Sequence, residues 1–244
     1  MDPNTTPALE PPMGITPDLV DPYTRQPNLI VTSVVCLTLT TVCIFIRTLT
    51  KAYLFKEMRL EDYFTIFAGF GFASFCGVML AARKVVQGSH QWDVSVTGLM
   101  DVILLSNILE IIYGPAMFAA KASVILQLMQ IFTANAKNFV YWSFITLLGL
   151  NGAFYFSIFV AFILACVPRA KITDPSLPGT CISINGSILA TSVFNIVSDL
   201  SILILPLVVV WSLRIPLKRK LTVGAGFGTG VLFDNVFLFI ERFR

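Results

Sequence analysis

Between Leu29 and Leu49 the chain carries a single charged residue, Arg47. A helix that crosses roughly 30 Å of hydrocarbon needs about 20 mostly apolar residues, because in lipid the backbone must satisfy its own hydrogen bonds. Five further stretches meet the same standard: Tyr63 to Ala82, Leu99 to Phe132, Phe139 to Ala165, Ile188 to Leu213 and Leu221 to Ile240. The third is long enough to tilt or to extend beyond the bilayer. The sixth is the weakest, since Asp234 and Asn235 interrupt it and Glu241 follows directly. The expected fold class is therefore all-α, a multi-pass transmembrane helix bundle with six spans present.

Composition agrees with this reading over the whole chain. Of 244 residues 56% are hydrophobic and only 13% are Asp, Glu, Lys or Arg, against about 25% charged in an average soluble domain. A mean hydropathy of +0.80 excludes a soluble globule, a disordered chain, a collagen-like chain and a disulfide-rich secreted module. The net charge of +3 comes from residues gathered at span ends rather than on one face, so nucleic acid is not an expected partner. One histidine and five widely spaced cysteines give no zinc spacing and no Ser-His-Asp arrangement. No Gly-x-Gly-Asp protease signature is present either. The expectation is a chain with no catalytic residues, no metal and no cofactor, hence not an enzyme.

Lys and Arg prefer cytoplasmic connections. With the N-terminus outside, the inner connections hold Lys51, Lys56, Arg59, Lys137, Arg214, Lys218, Arg219 and Lys220, and the outer ones hold Arg25, Arg83, Lys84, Arg169 and Lys171. The bias of eight to five favours this orientation, although Arg242 and Arg244 would also fall outside. Residues 1–27 are rich in proline, with no basic start and no apolar core, so they read as an extended extracellular tail and not as a signal peptide. Asn4-Thr5-Thr6 is a glycosylation sequon on that tail; a second, Asn185-Gly186-Ser187, lies too close to the fifth span. The organisation is thus a tail over 1–27, a transmembrane domain over 28–240 and a short end over 241–244, in the plasma membrane.

Ionisable groups inside a span are costly unless they face the bundle interior and find partners, so each is a candidate functional residue. The third span holds Asn107, Glu110 and Lys121. At 100° per residue they share a broad face, while eleven residues put Glu110 and Lys121 about 16 Å apart along the axis. The fifth span holds Asn195 and Asp199, one turn apart on one face, with Thr191 above and the helix-kinking Pro206 below. Two readings are open. Lys121 and Asp199 form an ion pair that locks the third and fifth helices, or each is satisfied separately by backbone carbonyls, Asn side chains or water. Cys166 and Cys181 flank the outer connection between spans four and five, on the oxidising side, where a disulfide is expected. In the outer connection before span three, His90, Trp92 and Asp93 read either as a ligand- or pH-sensing lid or as an interfacial aromatic anchor beside a solvated histidine.

Several of these segments, taken in order, resemble the fungal rhodopsin-domain integral membrane family. They are Arg47 to Leu60-Glu61-Asp62; Gly88-x-His90-x-Trp92-Asp93; Lys121-Ala122-Ser123-Val124-Ile125-Leu126; Cys166-x-Pro168 with Cys181; and Asn195-x-x-x-Asp199-x-x-Ile202-Leu203-x-Leu205-Pro206 followed by the basic turn at Arg214 to Lys220. The resemblance covers about Asn28 to Gly230. It implies a seven-helix, N-out bundle of receptor-like type, with Lys121, Asn195 and Asp199 at characteristic intramembrane positions. That family includes surface-sensing receptor-like proteins and membrane proteins encoded in toxin biosynthesis clusters. The chain departs from its pattern in lacking a Trp between the two cysteines and in ending after six spans, which reads either as a truncation or as a shortened member of the family. A light-driven opsin is not expected, because the one intramembrane lysine, Lys121, lies on span three. The implied function is a receptor-like membrane protein that senses an external ligand or surface cue and addresses a cytoplasmic signalling partner. The alternative is a transporter or a secondary-metabolite-associated membrane protein. Apart from the lipid bilayer, the ligand and the signalling partner are unidentified.

Overall fold

The computed structural model describes residues 6–12, 14, 16–19, 22–24, 26–81, 89–133, 139–173 and 176–212. Five helices dominate it: α1 (Gln26–Leu49), α2 (Leu60–Ala81), α3 (Val96–Phe132), α4 (Phe139–Ile163) and α5 (Ile184–Ser212). Each is long and apolar enough to cross a membrane. They coincide with the first five apolar stretches of the sequence, while the sixth, Leu221 to Ile240, and Asn4 lie outside the described residues. The helical bounds extend past the apolar stretches at several ends. α1 continues as a π-helical turn over Thr50–Phe55, which Lys56 closes in the left-handed conformation at φ 51°. Prolines 115 and 206 stand inside α3 and α5, and the helical assignment runs through both.

The chain divides into two compact units. The first comprises Met1–Ala120 and Tyr155–Ile182. Within it, α1 and α2 are tied together at one end by ionic contacts. Arg47 donates from Nε and Nη2 to Asp62 Oδ1 at 3.2 and 3.0 Å. The extra π-helical turn carries Lys51 to 3.6 Å from Glu61 and 3.7 Å from Asp62. Asp62 also accepts the backbone N–H of Arg59 at 3.1 Å, the reach of an N3 carboxylate back to the N-cap. Both acids are buried in the first turn of α2, where the helix dipole favours negative charge. Elsewhere in this unit α2 passes close to α3: a Cβ on Gly71 would stand 2.6 Å from the Ala116 Cβ, so glycine is the residue this approach permits.

The connection from α4 to α5 leaves β1 (Cys166–Val167) and β2 (Thr180–Cys181) paired antiparallel, Cys166 opposite Cys181. A disulfide joins the two cysteines, whose Cα atoms lie 4.1 Å apart. Ala165, Cys166 and Ile172 form a small core with Ile103, Leu104 and Ile182. Described residues of the N-terminal tail are hydrogen-bonded to the segment that enters α3. Ala8 donates to the Val94 carbonyl at 2.8 Å and Val96 to the Thr6 carbonyl at 3.1 Å, and Asp18 N–H donates to Asp93 Oδ1 at 3.0 Å. Thr6 and Ala8 thus add a short bridge to the entry of α3.

The second unit comprises Lys121–Phe154 and Ser183–Arg244. Its core is Ile125 and Leu128 of α3, one turn apart, with Phe144 of α4 and Ile202 of α5. The rings of Phe154 and Phe194 stack with centroids 3.6 Å apart.

Candidate functional site: buried polar groups in the spans

The second unit holds a polar network where α3, α4 and α5 meet. Lys121 Nζ lies 2.7 Å from Asp199 Oδ1 and donates to the Asn195 carbonyl oxygen at 3.2 Å. Both sequence readings of this lysine therefore contribute: it has a carboxylate partner and a backbone carbonyl. The Lys121 side chain is 5% exposed and that of Asp199 28%. An ammonium in so apolar a setting needs such partners, since taking an ion out of water costs several kcal/mol. Asn195 and Asp199 reach one lysine because four residues advance a helix by about one turn.

One residue before Asp199, Ser198 Oγ donates to Asn151 Oδ1 at 2.6 Å, and Asn151 Nδ2 donates to the Leu147 carbonyl at 2.8 Å. Asn151 is 1% exposed and Ser198 3%. Sequence reasoning passed over both. Asn151 was open to the rule that flagged Asn107, since it lies inside an apolar stretch; Ser198 carries no such signal, because serine is common in spans. Interhelical hydrogen bonds in membranes average about 0.6 kcal/mol and reach about 1.7. Ser198→Ala is accordingly expected to cost about 0.6 to 1.7 kcal/mol, and Asn151→Ala about 1 to 3 kcal/mol, because it also leaves Ser198 unsatisfied. Unfolding of the four-member mutant cycle in mixed micelles checks this; strictly additive effects would show that the two side chains do not interact.

In the first unit, Asn107 Nδ2 donates to the Phe162 carbonyl at 3.0 Å, and Arg169, from the turn after β1, reaches Asn107 Oδ1 at 3.5 Å. Glu110 is half-buried, and its Oε2 has no hydrogen-bond partner among the described residues. Asn107, Glu110 and Lys121 are thus not joined into one cluster: Asn107 bonds to α4 and Lys121 to α5. The His90 and Trp92 rings stack, centroids 4.4 Å apart and nearly parallel at 6°, and the neighbouring Asp93 holds the tail as described. Among the described residues no group of His, Cys, Asp and Glu could hold a metal ion. The three cysteines outside the disulfide are free: Cys36 and Cys43 exposed on α1, Cys76 buried on α2.

Comparison with known proteins gives a consistent family. A "SAT4 family membrane protein" of Emericella nidulans is 37% identical over 158 residues, covering 65% of this chain and 41% of the relative. "Fugralins biosynthesis cluster protein 2" of Gibberella zeae is 25% identical over 234 residues, covering 93% of this chain and 58% of the relative. The chain therefore spans about half the length of these curated relatives. No solved structure matches it. The fungal rhodopsin domain matches residues 46–239, starting later and running further than the stretch from Asn28 to Gly230 that the motifs mark out. With five apolar helices among its described residues, charged groups paired inside them and this match over most of its length, the chain belongs to the fungal rhodopsin domain family of multi-pass membrane proteins.

Proposed function

We propose that this chain is a non-catalytic, receptor-type membrane protein of the plasma membrane, with its N-terminus outside. An external ligand or surface cue biases the packing of α3 against α5, and the connections on the cytoplasmic side carry the change to a signalling partner. The observation that carries this reading is the Lys121–Asp199 pair, its lysine buried and its aspartate half-buried. A single ionic link between two spans has two distinct arrangements, made and broken, which is what a ligand with different affinities for two states acts on. The disulfide supports the orientation: it belongs on an oxidising side, and the α4–α5 connection lies on the same side as the N-terminus after four crossings.

The test is proximity labelling from a cytoplasmic connection in intact cells, comparing the unaltered chain with the double variant Lys121→Met, Asp199→Met, which removes the ionic link without leaving a lone charge in the spans. The receptor reading expects a different set of labelled partners when the link is removed. Identical sets would overturn it. A second reading, transport or an accessory role in secondary metabolism, draws on the biosynthesis-cluster name of the Gibberella relative and on the polar groups within the spans. It expects proton or solute flux into proteoliposomes that Asp199→Asn abolishes.

A further inference from the structure

The first turn of α3 holds no acidic residue to answer the helix dipole. The first backbone N–H groups of a helix have no partner within it and must be met from outside. Ser95 meets one of them, its Oγ accepting from the Gly98 N–H at 3.2 Å, as an N-cap serine does. The N–H of Val96, the first residue of α3, is met from the far N-terminal tail, where the Thr6 carbonyl accepts it at 3.1 Å.

The tail pairs with this segment as a strand would. Ala8 donates to the Val94 carbonyl at 2.8 Å, and Pro7 stands opposite Ser95 in an antiparallel bridge. In that pattern Pro7 and Ser95 are the pair that exchanges no hydrogen bond. The proline, which has no N–H, thus occupies the place where the pairing requires none, and it offers no donor to a further strand on its outer side. The partner segment is extended, with Val94 at φ −113° and ψ 135°, between the 3-10 turn Gln91–Asp93 and α3. A second hold, the Asp18 N–H on Asp93 Oδ1 at 3.0 Å, fastens the tail ten residues after Ala8. Thr6, Pro7 and Ala8 are half-buried, whereas Leu9, Glu10 and Pro12 between the two holds are exposed.

We propose that Thr6–Ala8 is a strap, an intramolecular ligand that caps the N-terminus of α3 through its backbone and comes off when the chain between Ala8 and Asp18 is cut. Each neutral backbone bond is worth only about two- to tenfold in an equilibrium. Two of them hold a free peptide poorly. They suffice for a segment that its own chain keeps at an effective concentration in the millimolar range. Cutting the connection turns an intramolecular contact into a bimolecular one, and α3 then loses the partner of its first N–H. The strap operates whether or not the chain signals, because every contact in it lies within the first unit.

The experiment uses the full chain in phosphatidylcholine vesicles, with the recognition site of a sequence-specific protease inserted after Pro12, and follows amide hydrogen exchange before and after cleavage. Cleavage is expected to speed exchange of the Val96 N–H about two- to tenfold, the effect of one lost backbone bond. A synthetic peptide of residues 4–12 restores the slower rate at millimolar and not at micromolar concentration. Ala8→Pro removes the donor to Val94 and speeds Val96 exchange with no cleavage; thermal unfolding confirms that this variant is folded. Val96 exchange unchanged by cleavage, a faster rate that the peptide does not restore, or Ala8→Pro exchanging like the unaltered chain would overturn the proposal.

Discussion

Lys121→Met is expected to destabilise the protein by about 1 to 3 kcal/mol, the cost of leaving a half-buried carboxylate without its charged partner. Asp199 would then lie inside a span without its ammonium partner. Asp199→Asn should cost less, because the amide oxygen still accepts from Lys121 and the Asn195 carbonyl remains in place. The informative variant is the double one, Lys121→Met with Asp199→Met. Replacing both charges by apolar groups of similar volume is often neutral or stabilising, so the double variant should recover much of what Lys121→Met loses. Chemical unfolding in mixed micelles measures the cycle, and a coupling energy well above about 0.5 kcal/mol is expected for residues in direct contact. Losses that simply add would show that the two charges are satisfied independently.

The second large effect belongs to the disulfide. Cys166 and Cys181 are separated by 15 residues, and closing a loop of that length contributes about 3 kcal/mol by restricting the unfolded chain. Cys166→Ser, or reduction of the unaltered protein, is therefore expected to lower Tm by about 6 to 12 °C for a chain of this size. The loss should not stop at the bond itself. Cys166 packs with Ala165 and Ile172 against Ile103 and Leu104 of α3, and Ile182 donates to the Ala165 carbonyl at 2.8 Å. Reduction should accordingly loosen the start of α3 as well, seen as faster amide exchange at residues 96–104. An unchanged Tm on reduction would mean that the β1–β2 pairing and this small core hold the connection without the covalent link.

These two effects differ in how far they could be foreseen. The positions of the spans were legible because the bilayer imposes one length and one composition on any helix that crosses it. The facing of Asn195 and Asp199 followed from the helical repeat alone, and the cysteine pair from its place on one connection. Residue numbers do not say which helices meet. Asn107, Glu110 and Lys121 share a stripe on α3, yet Asn107 bonds to a carbonyl of α4 and Lys121 to groups of α5. A stripe on one helix is read from periodicity, whereas its division among neighbours depends on how three helices pack.

The ionic tie between α1 and α2 makes the same point at shorter range. The basic residues after the first apolar stretch register in the sequence as an orientation signal. In the structure Arg47 and Lys51 are also partners of Glu61 and Asp62, because a further helical turn past Leu49 turns Lys51 back toward the start of α2. Asn151 and Ser198 likewise form a pair only once α4 and α5 are side by side.

The sequence by itself determined the all-helical, membrane-spanning class, the number and limits of the described spans to within a few residues, and the family. Those follow from hydrophobicity, the 3.6-residue period and local order, which are properties of single segments. Only the tertiary structure decided which buried charge meets which, that Glu110 keeps an oxygen without a hydrogen-bond partner among the described residues, and that the tail is hydrogen-bonded to the entry of α3. Each of these depends on the distance between segments remote in the chain, which packing sets and periodicity does not encode.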